Sequence, residues 1–189
     1  SAAILTVIEL SRADPRILSR DVLLARIEQH ARTGLVLADG FVNLARAGAQ
    51  PFKPEALDLL ELVVQAVDNS WAAARRRQVS VEFESNLDEA IFTGDRDLLS
   101  RALANLLSNA LKFSPAGGRV TCRVADRAAH WTVSIADQGP GVSKDQQSKL
   151  FQPFHRLHKN SHPAVHGGGL GLLLVRTTMQ RHGGFVGVE

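Results

Sequence analysis

Two asparagines and a lysine interrupt an otherwise apolar helical pattern in the segment NLLSNALKF. Asn105 and Asn109 are four residues apart and Lys112 follows three residues later, so one helix face presents all three. An asparagine carbonyl oxygen is a hard ligand that suits Mg²⁺ beside substrate phosphates, and a lysine offers those phosphates a positive charge. The pattern therefore indicates a magnesium and phosphate site. Polar positions on an exposed helix face would give the same pattern.

A second polar feature, DQGPG at 137–141, directly follows a segment with the alternating pattern of a strand. Its two glycines and its proline favour a tight turn. Asp137 stands at the strand end, where its carboxylate could accept a hydrogen bond from an exocyclic amine in a pocket. An ordinary Asp-Gly turn is the alternative, and the turn by itself fits both interpretations.

A third feature is the glycine-rich segment GGGLGL at 167–172, which leads into a helix. Backbone amides of glycine-rich turns at helix N-termini bind phosphate groups. The segment is not a dinucleotide-binding fingerprint, because the third glycine position falls on Leu172 or Leu174. It is not a P-loop either, since no Gly-Lys-Ser/Thr follows.

Helices and strands in mixed order must position these three features. Apolar residues at helical spacing predict helices, and strict alternation predicts half-buried strands. Asp95 is expected to cap the helix that carries the two asparagines. The patterns predict an α+β fold, a two-layer sandwich in which a mixed, mostly antiparallel sheet is covered by helices on one face. Helices are expected at 57–77, after Asp95 and at 170–182, strands at 79–84, 90–94, 118–126, 130–137 and 184–189, and an irregular stretch at 138–169.

Residues 1–48 are helical in character throughout. Asp14 and Pro15 are expected to start a long helix that runs to about Ala47. Its apolar positions alternate spacings of three and four, which is typical of the seam of a helical hairpin or coiled coil, although a helix packed on its own domain would look alike. Residues 49–54, with two prolines, are expected to be a linker to a second unit at 55–189. The seam consists of Leu24, Ile27, Ala31, Leu35, Ala38, Val42 and Ala45.

The composition excludes several classes of protein. The chain has 189 residues, of which 44% are hydrophobic and 22% charged, as in an ordinary globular protein. Its net charge of +3 is too small to indicate nucleic-acid binding, and no such partner is expected. Cys122 is the only cysteine, which excludes an intramolecular disulfide and a cysteine-based zinc site. No apolar run approaches the ~18 residues of a membrane span, and no signal-peptide pattern is present, so no direct membrane contact is expected.

Taken together, the features resemble the ATP-binding domain of sensor histidine kinases. NLLSNALKFS resembles the N box, DQGPGV the G1 box, LFQPFHR the F box, and GGGLGLLLVRTTMQRHGG the G2 box and its helix. These kinases belong to the GHKL superfamily, shared with gyrase, Hsp90 and MutL. The resemblance covers residues 50–189 and implies the Bergerat-type ATP-binding fold. Residues 1–48 resemble part of the dimerisation hairpin of the same kinases.

The resemblance implies a role for each motif residue, with ATP and Mg²⁺ as cofactors. Asn109 would be the Mg²⁺ ligand, and Asp137 would hold the adenine amino group. Asn105, Lys112 and Arg156 would be the catalytic residues, the last two through contacts with phosphate. The implied nucleotide-binding residues are Asn105, Asn109, Lys112, Phe113, Asp137, Gly139, Gly141, Val142, Phe154, Arg156, Gly167, Gly169, Leu170 and Gly171.

The resemblance also implies a reaction and partners. The γ-phosphoryl group of ATP would pass to a histidine of the dimerisation domain and then to an aspartate of a response-regulator receiver domain. A homodimer through the helical hairpin and a cytoplasmic location, within a possibly membrane-anchored sensor, are implied as well. None of the seven histidines is followed by an acidic residue, as the family's acceptor is. The chain is therefore expected to begin after the acceptor, to end before the family's last strand, and not to phosphorylate itself.

Two alternatives from the same residues stay open. A related ATPase that acts as a conformational clamp would have a glutamate at position 105, where this chain has asparagine, and a nucleotide-sensing module would bind ATP without catalysis. The segment between Phe154 and Gly167 resembles the ATP lid and contains four histidines. Their spacing of three and four could suggest a metal site on a helix, but Pro163 and the glycines argue against a helix there.

Overall fold

The computed structural model describes residues 20–128, 130–153 and 169–189. Within those ranges the helices are α1 (Arg20–Ala49), α2 (Leu59–Arg77), α3 (Arg96–Phe113), α4 (Lys144–Gln147) and α5 (Gly171–Arg181). The strands are β1 (Glu55–Asp58), β2 (Ser80–Ser85), β3 (Ile91–Gly94), β4 (Arg119–Asp126) and β5 (Trp131–Ala136).

The strands form a mixed sheet of three and a separate ribbon of two. β4 lies in the centre of the sheet, parallel to β2 and antiparallel to β5. β1 and β3 pair antiparallel in the ribbon. Two of the three pairings are antiparallel, which confirms the mixed, mostly antiparallel arrangement expected from the alternation. The hairpin of β4 and β5 is also confirmed.

The core lies between the sheet and the layer of α2 and α3. Val120, Cys122 and Val124 alternate along β4 and are buried against apolar residues of both helices, Leu107 among them. This is the period of two that a half-buried strand requires. Burial raises the pKa of the Cys122 thiol to about 11, so the thiol stays protonated at neutral pH. α5 packs on α3 from outside this core.

The long helix α1 leaves most of its apolar seam uncovered by the described residues. Leu24, Leu35 and Val42 are 53%, 66% and 44% exposed, whereas Ala47 near the C-terminal end is buried against α3 and α5. A helix packed along its length on its own domain would bury these side chains, so the exposure favours a seam for another helix. Among the described helices, none is both long and apolar enough to cross a membrane.

Three predicted elements differ from the observed ones, and the first is the stretch at 138–169, which was expected to be irregular but contains the short helix α4. The helix expected from Leu57 begins at Leu59, because residues 55–58 pair with β3 as strand β1. Residues 184–189 were expected to form a final strand, but they are irregular and have no strand partner within the described chain. Two glycines in GFVGVE lower its strand propensity, and Phe185 is 75% exposed, so no apolar burial compensates.

Asp95 caps α3, as predicted. Its side chain accepts hydrogen bonds from the backbone N–H of Leu98, at 3.1 Å, and of Lys53, at 3.0 Å. Burial alone would raise the pKa of the Asp95 carboxyl, but these two donors, with His182 and Arg181 nearby, bring the pKa below its usual value. The capping carboxylate therefore stabilises both the start of α3 and the linker that precedes β1.

Replacing Asp95 with alanine should lower the free energy of unfolding by about 1–2 kcal/mol at pH 7, the usual loss for an N-cap. Because the pKa is lowered by folding, this contribution is present above the unfolded value of about 4 and is lost as the pH falls below it. Urea unfolding at pH 7 and pH 3 measures the change.

The matched control is Asp97→Ala, which removes an exposed carboxylate from the same first turn. Asp97→Ala should lower the free energy of unfolding by less than Asp95→Ala does. If the difference in free energy of unfolding between the Asp95→Ala chain and the unmodified chain is the same at both pH values, the charged-cap interpretation is wrong.

Candidate functional site

Helix α3 presents its polar motif beside an apolar face that is buried in the core. Asn105, Asn109 and Lys112 are all partly exposed, as their helical spacing predicts. The lysine Nζ lies 5.3 Å from the ring centroid of Phe113, the last residue of the helix. The buried face consists of Leu98, Leu99, Ala102, Leu103, Leu107, Ala110 and Leu111.

The first asparagine touches the start of α5. A Cβ placed on Gly171 would lie 2.7 Å from Oδ1 of Asn105, so the two residues are in close contact and a larger residue at position 171 would displace the Asn105 amide. Asn105 Nδ2 donates to the carbonyl oxygen of Arg101 at 2.9 Å, which fixes the direction of the amide. Gly169, two residues earlier, has φ +67°, a conformation that glycine adopts readily. The glycine-rich segment therefore reaches the N-box face of α3.

The aspartate turn abuts the other end of α3. Asp137 follows β5, is exposed, and accepts a hydrogen bond from the backbone N–H of Gly139 at 2.8 Å. A Cβ on Gly139 would lie only 3.0 Å from the carbonyl oxygen of Phe113. Gly141 has φ +69°, and the carbonyl of Val142 accepts a hydrogen bond from Gln147 of α4. The turn is thus tightly folded and packed on the C-terminal end of the asparagine helix.

These contacts place the three features along one side of α3. The glycine-rich turn lies at Asn105, the aspartate turn lies at Phe113, and Asn109 and Lys112 lie between them. A ligand bound there would meet an exposed carboxylate at one end and glycine backbone at the other. An amide oxygen and a lysine side chain would lie near its middle.

The arrangement fits a nucleotide with a divalent cation. Within the described residues no three His, Cys, Asp or Glu side chains could hold a metal ion together, so phosphate oxygens would have to supply most ligands beside the Asn109 amide. The hydroxyl oxygen of Ser114, directly after Phe113, is buried and has no hydrogen-bond partner in the described chain. Such an atom at a site's edge is suited to a polar ligand group.

One predicted site residue points its side chain away from a ligand, and three others lie outside the residues that the structure describes. The side chain of Leu170 is 3% exposed and packs toward Gly40 of α1, so its side chain serves packing and only its backbone could meet a ligand. Phe154, Arg156 and Gly167 lie outside the described residues. The lid expected between positions 154 and 167 and its four histidines also lie outside.

Arg101 is a site residue that the sequence analysis did not single out. Its carbonyl oxygen holds the Asn105 amide, and its Nη1 donates to Oδ1 of Asn43 in α1 at 2.9 Å. The residue therefore links α1 to the first asparagine of the motif. The spacing of four between Arg101 and Asn105 is the sequence signal that could have revealed half of this link.

Comparison with known proteins agrees with this geometry. The model of the histidine kinase-, DNA gyrase B- and HSP90-like ATPase family matches residues 94–189, which include all of the motifs. The chain is 33% identical over 168 residues to the signal transduction histidine-protein kinase/phosphatase MprB of Mycolicibacterium smegmatis, covering 88% of this chain and 32% of that protein. It is 32% identical over 181 residues to the sensor protein IrlS of Burkholderia pseudomallei, covering 90% of this chain and 36% of that protein. The chain thus spans about a third of the length of these relatives.

Solved structures show the same architecture. The mycobacterial sensor histidine kinase MprB matches with a TM-score of 0.59 and 32% identity, over 69% of this chain and 81% of that one. Full-length ShkA in complex with AMPPNP matches with a TM-score of 0.72 and 24% identity, over 90% of this chain and 36% of that one. At that identity the second likeness shows the fold alone. Together they confirm the predicted α+β fold.

Proposed function

Since the chain belongs to the histidine kinase-, DNA gyrase B- and HSP90-like ATPase family, as the ATP-binding catalytic region of a sensor histidine kinase, we propose that it transfers the γ-phosphoryl group of ATP to a histidine. The observation that carries this proposal is the position of α3 between the two glycine turns. Asn105 contacts Gly171 at one end of the site, and Phe113 contacts Gly139 at the other.

The adenine end of the site lies at the aspartate turn. The Asp137 carboxylate is exposed and anchored by the Gly139 N–H, so one of its oxygens stays available to accept a hydrogen bond from the adenine amino group. Gly139 and Gly141 let the backbone approach the base closely, and Phe113 lines its ring. This assignment explains how the site would select adenine over guanine, which carries an oxo group at the corresponding position.

The phosphate end lies at the start of α5. Backbone N–H groups of Gly169, Leu170 and Gly171 would meet phosphate oxygens at the positive end of this helix. Lys112 and Arg156 would add charge to the same phosphates. Mg²⁺, held by the Asn109 amide oxygen and the phosphates, would neutralise charge that develops during transfer. The protein's part in the reaction is then to position the nucleotide and to exclude competing water.

The partners follow from the class of protein. The structure of ThkA was solved in complex with the response regulator TrrA, and the present chain is 16% identical to ThkA in that complex. We propose a response-regulator receiver domain as the second acceptor here, and a second copy of the chain as the occupant of the exposed α1 seam. The whole process would take place in the cytoplasm.

An ATPase that works as a clamp is the second candidate, because it belongs to the same family. It would need a general base beside the γ-phosphate, and the residue in that position is Asn105. A side-chain amide has no basic group at neutral pH. Asparagine at position 105 therefore favours the kinase over the ATPase.

The test of the proposed function is Mg²⁺-dependent ATP binding, followed by transfer to a supplied hairpin. Titration calorimetry of the unmodified chain should give tighter binding of ATP with Mg²⁺ than with EDTA, and Asn109→Ala should lose most of that gain. Asn69→Ala, an exposed asparagine of α2, is the matched control and should change nothing. Labelled phosphate from γ-³²P-ATP should appear on a histidine hairpin from a related kinase and not on this chain. Binding without any effect of Mg²⁺ or Asn109 would contradict the proposal.

Gly171→Ala should weaken ATP binding by roughly tenfold, because the new methyl group would displace the Asn105 amide at the cost of a typical overpacked contact. The free energy of unfolding should change little, since alanine also favours the helix. The matched control is Gly34→Ala in α1, where a Cβ meets nothing within 4 Å; it should be stabilising and leave binding intact. Titration calorimetry and urea unfolding measure both. Unchanged ATP affinity in Gly171→Ala would show that Asn105 is not part of the nucleotide site.

A further inference from the structure

The linker after α1 is fastened to the ends of α3 and α5 by side chains outside the nucleotide site. Arg181 donates from Nη1 to the carbonyl oxygen of Ala47 at 2.6 Å and from Nη2 to that of Gln50 at 2.8 Å. These are carbonyls at the end of α1, which have no helical partner of their own. On the other side, the backbone N–H of Lys53 donates to Oδ2 of Asp95.

His182 closes this junction with both ring nitrogens. The backbone N–H of Asp95 lies 2.9 Å from Nε2 of His182, and the carbonyl oxygen of Thr178 lies 2.7 Å from Nδ1. A backbone N–H can only donate, so Nε2 accepts and carries no proton. A carbonyl can only accept, so Nδ1 carries the proton. These two partners fix the direction of the imidazole, whose ring packs edge-on against Phe52 with the ring centroids 4.8 Å apart.

The junction is packed as a structural joint. Phe52 packs with Ala47, Leu98 and Leu174 in a small apolar cluster of its own, separate from the main core. The cavity beside it has a volume of about 10 Å³, which is at most room for one water molecule. No ligand of the size of a nucleotide or metabolite fits there.

Both helices held by this joint lead to the nucleotide site. α3 starts after the Asp95 cap and carries Asn105. α5 starts against Asn105 at Gly171 and ends at Arg181, just before its C-cap His182. We propose that His182 is a positioning residue, which closes a clasp formed by Phe52, Lys53, Asp95, Arg181 and His182. The clasp sets where α1 lies relative to the nucleotide-site helices. Its consequence for phosphoryl transfer rests on the proposed function, because the acceptor histidine would approach on the hairpin to which α1 belongs.

Two amide substitutions test the two hydrogen bonds of the His182 imidazole one at a time. In His182→Gln the amide oxygen reaches the place of Nε2 and can still accept from Asp95 N–H. In His182→Asn the shorter amide can replace only Nδ1 and keeps the bond to Thr178. A role in packing alone would be disturbed by both changes alike. The clasp requires that the glutamine variant keeps the joint and that the asparagine variant opens it.

The experiment is a distance measurement between spin labels on α1 and on the sheet, in the full chain. Gln29→Cys and Ser134→Cys are exposed labelling sites, and the buried Cys122 does not compete for the label. The unmodified clasp and His182→Gln should give the same narrow distance distribution. His182→Asn should raise the share of displaced distances by roughly fivefold, the factor that corresponds to one lost hydrogen bond.

A second variant keeps the test decisive if His182→Asn fails to fold. Lys53→Pro removes the backbone N–H that donates to Asp95, fixes φ at position 53 and restricts Phe52, all without a change in α5, and it should also broaden the distribution. Unchanged distances in His182→Asn would overturn the clasp. If His182→Asn does not fold, unchanged distances in Lys53→Pro would do the same. Equal broadening in His182→Gln and His182→Asn would also overturn it. The readout needs no nucleotide, so absent phosphoryl transfer with the expected distances would refute the proposed function and leave the clasp intact.

Discussion

The unmodified chain should bind ATP and hydrolyse it far more slowly than the ~10 s⁻¹ of a median enzyme, and Asn105→Glu should raise that hydrolysis. A glutamate at this position would supply the general base that orients and deprotonates an attacking water. General-base assistance is worth about 10²–10⁴ in rate, which sets the upper limit of the increase. A kinase benefits from the amide, because a base beside the γ-phosphate would waste ATP on water.

The structure provides a matched control for this change. The Asn105 amide donates to the Arg101 carbonyl and touches Gly171, so any longer side chain will shift those contacts. Asn105→Gln has the length of glutamate without its carboxylate, and it should therefore share the packing effect and leave hydrolysis at the basal rate. A coupled ATPase assay with all three chains measures the difference. Brisk hydrolysis by the unmodified chain, abolished in Asn109→Ala, would show that the chain is an ATPase.

Asp137→Ala should reduce the affinity for ATP by roughly 10- to 100-fold, the range expected for loss of one hydrogen bond to a charged group. Affinity for GTP should be low in the unmodified chain and should change little, because guanine offers no amino group at the same position. The selectivity for adenine would then be largely lost in the variant. Titration calorimetry with both nucleotides measures this result.

Asp126→Ala is the matched control for Asp137→Ala. Asp126 is the last residue of β4 and also accepts a turn N–H two residues later, from Ala128 at 2.8 Å, but it lies at the opposite end of the β4–β5 hairpin. Its replacement removes the same charge and the same turn bond, so it should leave nucleotide affinity unchanged. Equal affinity of the unmodified chain for ATP and GTP would exclude the adenine role of Asp137.

Local signals in the sequence predicted local structure correctly. The Asp95 cap, the period of β4 and the β4–β5 hairpin each depend on residues within a few positions of one another. β1 escaped prediction because its four residues resemble the start of α2, and only pairing with β3, more than thirty residues away, makes them a strand. The final segment shows the opposite case, in which an acceptable strand pattern has no partner to pair with among the described residues.

The site was predictable as a set of residue types and not as a set of contacts. The motif order indicated a nucleotide site, but the approach of Asn105 to Gly171 joins residues far apart in the chain and depends on how α5 packs on α3. The same holds for Arg101, whose partner Asn43 lies in another helix. Leu170 looked like part of a phosphate loop, whereas its side chain packs toward α1. These contacts depend on packing between residues far apart in the chain, and the spacing of residues within one helix does not predict such packing.

The parallel pairing of β2 with β4 also determines when the domain can be completed during synthesis. β2 has no other strand partner among the described residues, and β4 follows it only after β3 and the whole of α3. A nascent chain that has emerged through Phe113 therefore presents the apolar face of α3 without the central strand that covers it. Contacts of such long sequence separation form slowly and leave apolar surface exposed in the meantime. Until β4 has been made, the apolar face of the asparagine helix is therefore an exposed surface through which nascent chains can associate.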